Sequence, residues 1–367
     1  VRGIALMMIF IDHIPGNSFA RFTLQAIGFN DAAEVFVFLA GLSAALAYGS
    51  AFDRSGFMAG SRKVFGRVAK IYVTHVVLFL IVAAMVVGAA RVFGDPMYLD
   101  VISAGVFETE PLTALMRVVT LTFQPTYLDI LPLYVVLLSA VPLLLMLAKV
   151  HLLLPLGAST ILFAVAQIAD VNLPNYPTVA AWYFNPAAWQ LLFVLGFTLG
   201  CASRAGHTLP RLPIVTAGAV LVVVASALIA APWRALPGLA DAILVPASFV
   251  PTIDKTNLAP LRLLNVLAQA WLVAVLVPRN AAFLNSGVAT LLWSAGKKSL
   301  EIFALGIVLS FAGMIALTEL GHSLIFHVLV TALGISLMLG TAHFMERRDS
   351  VARARARAQA TGAENIA

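Results

Sequence analysis

Cysteine is nearly absent. Cys201 is the only one in 367 residues, which excludes an intrachain disulfide and a cysteine-based metal cluster. Charge is scarce as well: 11% of residues are charged and 61% are hydrophobic, whereas about one quarter of a soluble domain is charged. The usual signatures of soluble catalysis are missing too. The sequence holds no phosphate-cradling glycine loop with lysine, no HExxH metal helix and no G-x-S-x-G elbow. Paired histidines with metal-ligand character are also lacking, so neither a metal nor a tightly bound cofactor is expected.

What fills the chain is apolar sequence. Runs of about twenty residues, the length a helix needs to cross a bilayer, recur from end to end. The pattern predicts an all-α polytopic membrane protein with one membrane domain over residues 1–346 and a basic tail, a frayed helix or disordered, over 347–367. Ten spans are expected, at 2–18, 31–51, 68–93, 130–148, 151–169, 186–204, 213–231, 258–278, 297–318 and 322–345. A helical hairpin at the shortest connections would reduce the number to eight or nine. The first residue is Val1 and the apolar run starts at once, so the true N-terminus is expected upstream; no signal-peptide pattern is seen.

The net charge of +6 reflects the positive-inside bias of membrane proteins and not nucleic-acid binding. The 52–67 loop carries Arg54, Arg62, Lys63 and Arg67, and the tail adds Arg347, Arg348, Arg353, Arg355 and Arg357. The 94–129 connection is acidic, with Asp95, Asp100, Glu108, Glu110 and Asp129. Basic stretches on alternate sides put both termini in the cytoplasm and place 94–129 and the proline-rich 232–257 connection outside. Residues 111–125 are amphipathic enough to lie in the interface. The arginine-rich tail suits anionic lipid headgroups.

Ionisable residues in such a setting need a reason. "RGIALMMIFIDH" begins with Arg2 and ends with Asp12 and His13. Eleven positions at about 100° each bring His13 within about 20° of Arg2 on the helix face, roughly 16 Å along the axis. One reading is a polar stripe lining a cavity; the other is a cytoplasmic anchor and a headgroup-level histidine. Asp12 points about 100° away from His13, so Asp31 and Glu34, at the start of the second span, are the more natural carboxylate partners. "NDAAE" also reads as a helix start, with Asp31 as cap and Glu34 closing a capping box. Tyr72 and His75 lie one turn apart in the third span, where a buried histidine more often packs than binds. Asp129 and Tyr134 open the fourth span, and Asn185, Trp189 and Gln190 the sixth. Trp189 fits an interfacial aromatic belt as well, while the Gln190 amide needs a partner once buried. Lys297 and Glu301 are four apart and could pair along a helix.

"RGIALMMIFIDHIPGN", "GFNDAAEVFVFLAGLSAALAYG", "LDILPLYVVLL", "FNPAAWQLLFVLG" and "GKKSLEIFALG" together resemble the OpgC family of integral-membrane proteins. The resemblance covers nearly the whole chain. It implies succinyl substitution of osmoregulated periplasmic glucans in a bacterial inner membrane, within a superfamily of ten-span acyltransferases that use cytoplasmic acyl-CoA. That superfamily carries an arginine and a histidine separated by ten residues in its first span, matched here by Arg2 and His13; the charged residues that usually precede the arginine are missing from this chain. On this resemblance His13 is the general base, with Asp31, Glu34 or Asp12 to orient it. Arg2, Arg62, Lys63 and Arg67, with Tyr72, His75 and Lys297, hold acyl-CoA, succinyl-CoA foremost, as donor substrate. Asp129, Tyr134, Asn185, Trp189 and Gln190 face the glucan. Membrane lipids and the glucan-synthesis machinery are the further partners implied.

Three readings compete. Acetyl transfer to another surface polysaccharide would use the same base. A transporter or flippase for a lipid or sugar would use the same polar cavity, but such proteins show broken helices at the midplane, whereas the helices here read as continuous. An inert scaffold, with a purely structural His13, is the third.

Overall fold

The computed structural model describes residues 1–364 apart from 178–180, 236–237, 240, 243, 245–252 and 279. Much of the 232–257 connection therefore lies outside the described residues. The chain is 77% helix, with no strand among the described residues. Five helices are long and apolar enough to cross a membrane, or six if one bent pair forms a single span. This is a membrane protein; the ten expected spans are not all recovered by length and composition among the described residues.

Two compact units divide the chain, Val1–Phe19 with Pro278–Ala367, and Ala20–Val277. The first unit contains α1 (Arg2–Asp12), which packs on three helices from the far end of the sequence. The expected 2–18 span is helical only as far as Asp12. The reason is local: Ile14 precedes Pro15, which disfavours helical backbone at Ile14, and Gly16 turns the chain with φ +72°.

The second unit is built on α2 (Ala32–Phe93). This one element carries the expected second and third spans, and the 52–67 stretch between them is helical, not a loop. Its direction changes at Gly56, whose φ of 77° and ψ of 175° leave the helical region, a conformation open chiefly to glycine. There follow α3 (Pro111–Val119), α4 (Ile130–Ser139) and α5 (Val141–Val150). The last two replace the single 130–148 span and meet at a bend of 41°. Pro142 explains the break, because it lacks an N–H and its ring clashes with the carbonyl four residues back. The expectation of continuous helices fails here. The remaining long helices of this unit are α6 (Leu154–Ala169), α7 (Pro186–Arg204), α8 (Pro213–Ala230) and α9 (Pro260–Leu276).

Helices α2 and α7 form the centre of this unit, and glycine sets their spacing. A Cβ on Gly41 would collide with the carbonyl of Phe193, and one on Gly196 with the carbonyl of Phe38. Gly200 lies one turn further on, against the Leu42 carbonyl. Small residues at four-residue spacing let helix backbones approach this closely in membranes.

The first unit is completed by α10 (Gly287–Lys297), α11 (Ser299–Leu320) and α12 (Leu324–Glu364). Helix α10 falls in a stretch expected as connection. Helix α12 runs on through the basic tail, because its alternating alanine and arginine are both strong helix formers. Phe10 of α1, 1% exposed, fills the space left by Gly334 of α12.

Candidate active site

In the first unit, Arg2 opens α1, Asp12 closes it, and His13 is its C-cap with φ −88° and ψ 0°. This is the sparsely populated bridge region, where many active-site residues sit. The His13 Nδ1 atom is buried, while the residue as a whole is half-buried, so the ring has one sheltered side and some accessible surface. The next residues turn sharply: the Asn17 N–H donates to the Ile14 carbonyl at 3.1 Å, across Pro15 and the positive-φ Gly16, the sequence arrangement of a type II turn.

Lys297, expected to pair with Glu301, is bonded to Glu346 at 2.8 Å and lies 3.6 Å from the Trp293 ring centre. The physical reason is a helix break. Lys297 ends α10, Lys298 leaves helical geometry with ψ 35°, and Glu301 belongs to α11, so the four-residue spacing no longer aligns the two side chains. Lys298 pairs with Asp349.

The second unit holds a buried ion cluster. Asp31 caps α2, its Oδ1 accepting from the Ala33 N–H at 2.8 Å, and Glu34 accepts from the Asp31 N–H at 3.0 Å. The capping box is therefore formed. The other oxygens meet two cations that sequence reading did not single out. Arg262 of α9 donates its Nε to Glu34 at 2.7 Å, with a second contact through Nη2. Lys255 reaches Asp31 at 2.5 Å and lies 5.4 Å from the Tyr183 ring centre and 5.3 Å from that of Phe184. Burial is the largest influence and would raise Asp31, but the Lys255 ammonium, the hydrogen bonding with Glu34 and the Arg262 charge together outweigh it and hold the carboxyl below its ordinary range. Burial likewise opposes charge on Lys255, yet Asp31 and Glu34 keep it above the usual lysine value.

Asp129 is buried near this cluster, and desolvation raises its pKa from 3.8 to about 6 against the attraction of Lys255. Tyr134 is 6% exposed and packs edge-on against Phe36, with ring centres 5.7 Å apart.

The other expected substrate residues have structural work. Asn185 caps α7, accepting from the Ala187 N–H at 2.9 Å, and its amide donates to the Val171 carbonyl and to Asn257. The Trp189 indole is fully buried and donates to the carbonyls of Lys255 and Thr256, so it does not belong to an interfacial belt. The Gln190 side chain is bonded to Ser159 of α6 at 2.5 Å and to the Ser159 carbonyl at 2.9 Å. Its buried amide has found the partner it required.

Of the expected donor residues, Arg62 lines a recess of about 550 Å³ with Phe57, Met58, Phe65 and Met146. Lys63 is exposed beside it and Arg67 half-buried one turn on. Tyr72 donates to the Val119 carbonyl at 2.8 Å. His75 is completely buried, with neither ring nitrogen hydrogen-bonded among the described residues. It thus differs from a bonded packing histidine.

Arg262 had a sequence signal. Arg262, Asn265 and Gln269 recur at helical spacing in "PLRLLNVLAQAW", polar residues on one face of an apolar helix. In the structure Asn265 and Gln269 both donate to Asn30 Oδ1, at 2.7 and 2.9 Å. Lys255 had no such signal, since it lies in a connection.

No curated protein and no solved structure matches this sequence. The family comparison is different: the model of the OpgC protein family matches residues 1–350, and the chain belongs to that family.

Proposed function

We propose that the protein, an acyltransferase by family, is a membrane O-acyltransferase that moves a short acyl group, succinyl foremost, from acyl-CoA to hydroxyls of a periplasmic glucan. The observation that carries this reading is the OpgC match over residues 1–350. His13 is the general base. One ring nitrogen of such a base must be sheltered and the other reachable, which suits a half-buried residue whose Nδ1 is buried.

In the proposed reaction the imidazole takes the proton of a sugar hydroxyl, and the oxygen attacks the thioester carbonyl. The C–S bond then breaks, the thiolate takes the proton back from the imidazolium, and His13 returns to its neutral form. Arg62, Lys63 and Arg67 hold the CoA phosphates by charge-assisted hydrogen bonds. The apolar walls around Arg62 suit the pantetheine arm.

The test is transfer of radiolabelled succinyl from succinyl-CoA to periplasmic glucan by membranes carrying wild type or His13→Ala at matched insertion levels. Label that disappears with His13→Ala supports donor, reaction and base together. Label that persists removes His13 from the chemistry. The break between α4 and α5 favours a second reading, a transporter for a lipid or sugar, because broken helices mark such proteins. Wild type that transfers neither succinyl nor acetyl would bring that reading forward.

A further inference from the structure

The turn after His13 is tied to one face of α12. Asn17 donates its amide to the Thr331 hydroxyl at 3.1 Å, and the Ser18 N–H donates to His327 Nδ1 at 3.0 Å. His327 and Thr331 are four residues apart and so share a helix face. The Ser18 hydroxyl lies 2.7 Å from the same Nδ1. A backbone N–H can only donate, so Nδ1 of His327 is an acceptor, and in the neutral ring the proton sits on Nε2. That Nε2 faces His322 Nδ1 at 3.3 Å. The Nε2–H is therefore the donor to His322, and the Ser18 O–H is a second donor to Nδ1.

His322 in turn lies beneath the turn itself. A Cβ on Gly16 would stand 3.3 Å from its Cε1, and φ of +72° disfavours any side chain there. The contacts close a ring from Gly16 through His322 and His327 to Ser18. His327 is 3% exposed, so a ring that lost these bonds would find little water to replace them.

We propose that His327 is the positioning residue of His13: by accepting both Ser18 donors in one fixed tautomer, with Thr331 holding Asn17, it fixes the backbone that presents the imidazole. This rests on reading His13 as the base. A base held in place by a neighbouring segment contributes to turnover through alignment, while the affinity for the donor arises elsewhere. Loss of the clamp therefore acts on kcat and leaves KM for acyl-CoA nearly unchanged.

The experiment compares wild type, His327→Ala, His327→Asn and His13→Ala in the full chain, purified in detergent after insertion is matched. Two readouts are taken: hydrogen exchange of the peptide containing Ser18, and kcat and KM for succinyl transfer. Asparagine retains an acceptor near the position of Nδ1, and alanine retains none. His327→Ala is expected to accelerate exchange at Ser18 and to lower kcat about 10- to 100-fold with KM within about threefold, the scale of a displaced catalytic group. His327→Asn is expected to restore protection and most of the turnover.

Unchanged Ser18 protection in His327→Ala overturns the clamp, and so does His327→Asn that exchanges as fast as alanine. Faster exchange with unaltered kcat overturns the positioning role. If His327→Ala does not insert, Thr331→Val, which removes the partner of the Asn17 side chain, gives the same comparison on the backbone of the peptide containing Asn17 and Ser18: faster exchange with lower kcat supports the proposal, and wild-type behaviour in both overturns it. Transfer that survives in His13→Ala, with Ser18 protected as in wild type, identifies the base reading as the part that failed.

Discussion

Replacing Arg262 by methionine would take from Glu34 the cation bonded to it, while Lys255 is bonded to Asp31. Glu34 is 0% exposed, and its Oε1 accepts two contacts from Arg262. Removing one partner from a buried pair costs about 3–5 kcal/mol, because the remaining charge stays desolvated. At roughly 2 °C per kcal/mol for a unit of this size, the melting midpoint of Arg262→Met in detergent should fall by about 6–10 °C. Glu34→Gln should cost less, since the charge leaves with the substitution and Arg262 still has Asp31 at 3.7 Å. The double variant loses both charges, and swapping a buried pair for neutral side chains of similar volume is often near neutral. A double-mutant cycle should therefore return a coupling of about 2–3 kcal/mol, at the upper end for directly bonded neighbours. The reasoning is refuted if Arg262→Met melts with wild type, or if adding Glu34→Gln to it recovers nothing.

Asp129, raised from 3.8 to about 6 by burial, binds its proton more tightly folded than unfolded. Stability from this group is thus fully present below about pH 4 and is lost as pH rises through about 6, by on the order of 3 kcal/mol. Asp129→Asn should flatten that part of a melting profile measured between pH 4 and 8, and an unchanged slope would contradict the assignment. At Gly41 a methyl would strike the Phe193 carbonyl, so Gly41→Ala should destabilise by about 1–3 kcal/mol. Gly88, with nothing within 4 Å of its position, should tolerate alanine with a gain of up to about 1 kcal/mol; thermal melts of the two variants side by side check the contrast. Lys297→Ala removes a pair whose lysine side chain is 37% exposed, and its midpoint should shift by under about 1 kcal/mol in equivalent stability.

The sequence by itself determined the class of the protein. Its shortage of charge and its recurring apolar runs specify helices in a membrane, because each backbone polar group in lipid must bond within its own segment. The helix start at Asp31 and Glu34 was equally legible, since a capping box involves residues only three apart. Local pattern misled in the basic 52–67 stretch: it looked like a loop, yet it is helical and the change of direction is made at Gly56. The Lys297–Glu301 pair failed for a similar reason, a break at Lys298.

Only the tertiary structure decided which polar groups meet. Glu34 and Arg262 are 228 positions apart, and Ser18 and His327 are 309 apart. No periodicity reports such pairs, because helical spacing constrains neighbours within a turn or two. Partners this distant are selected by folding itself: a buried charge or donor left unbonded is costly, so packing that brings such groups together is favoured.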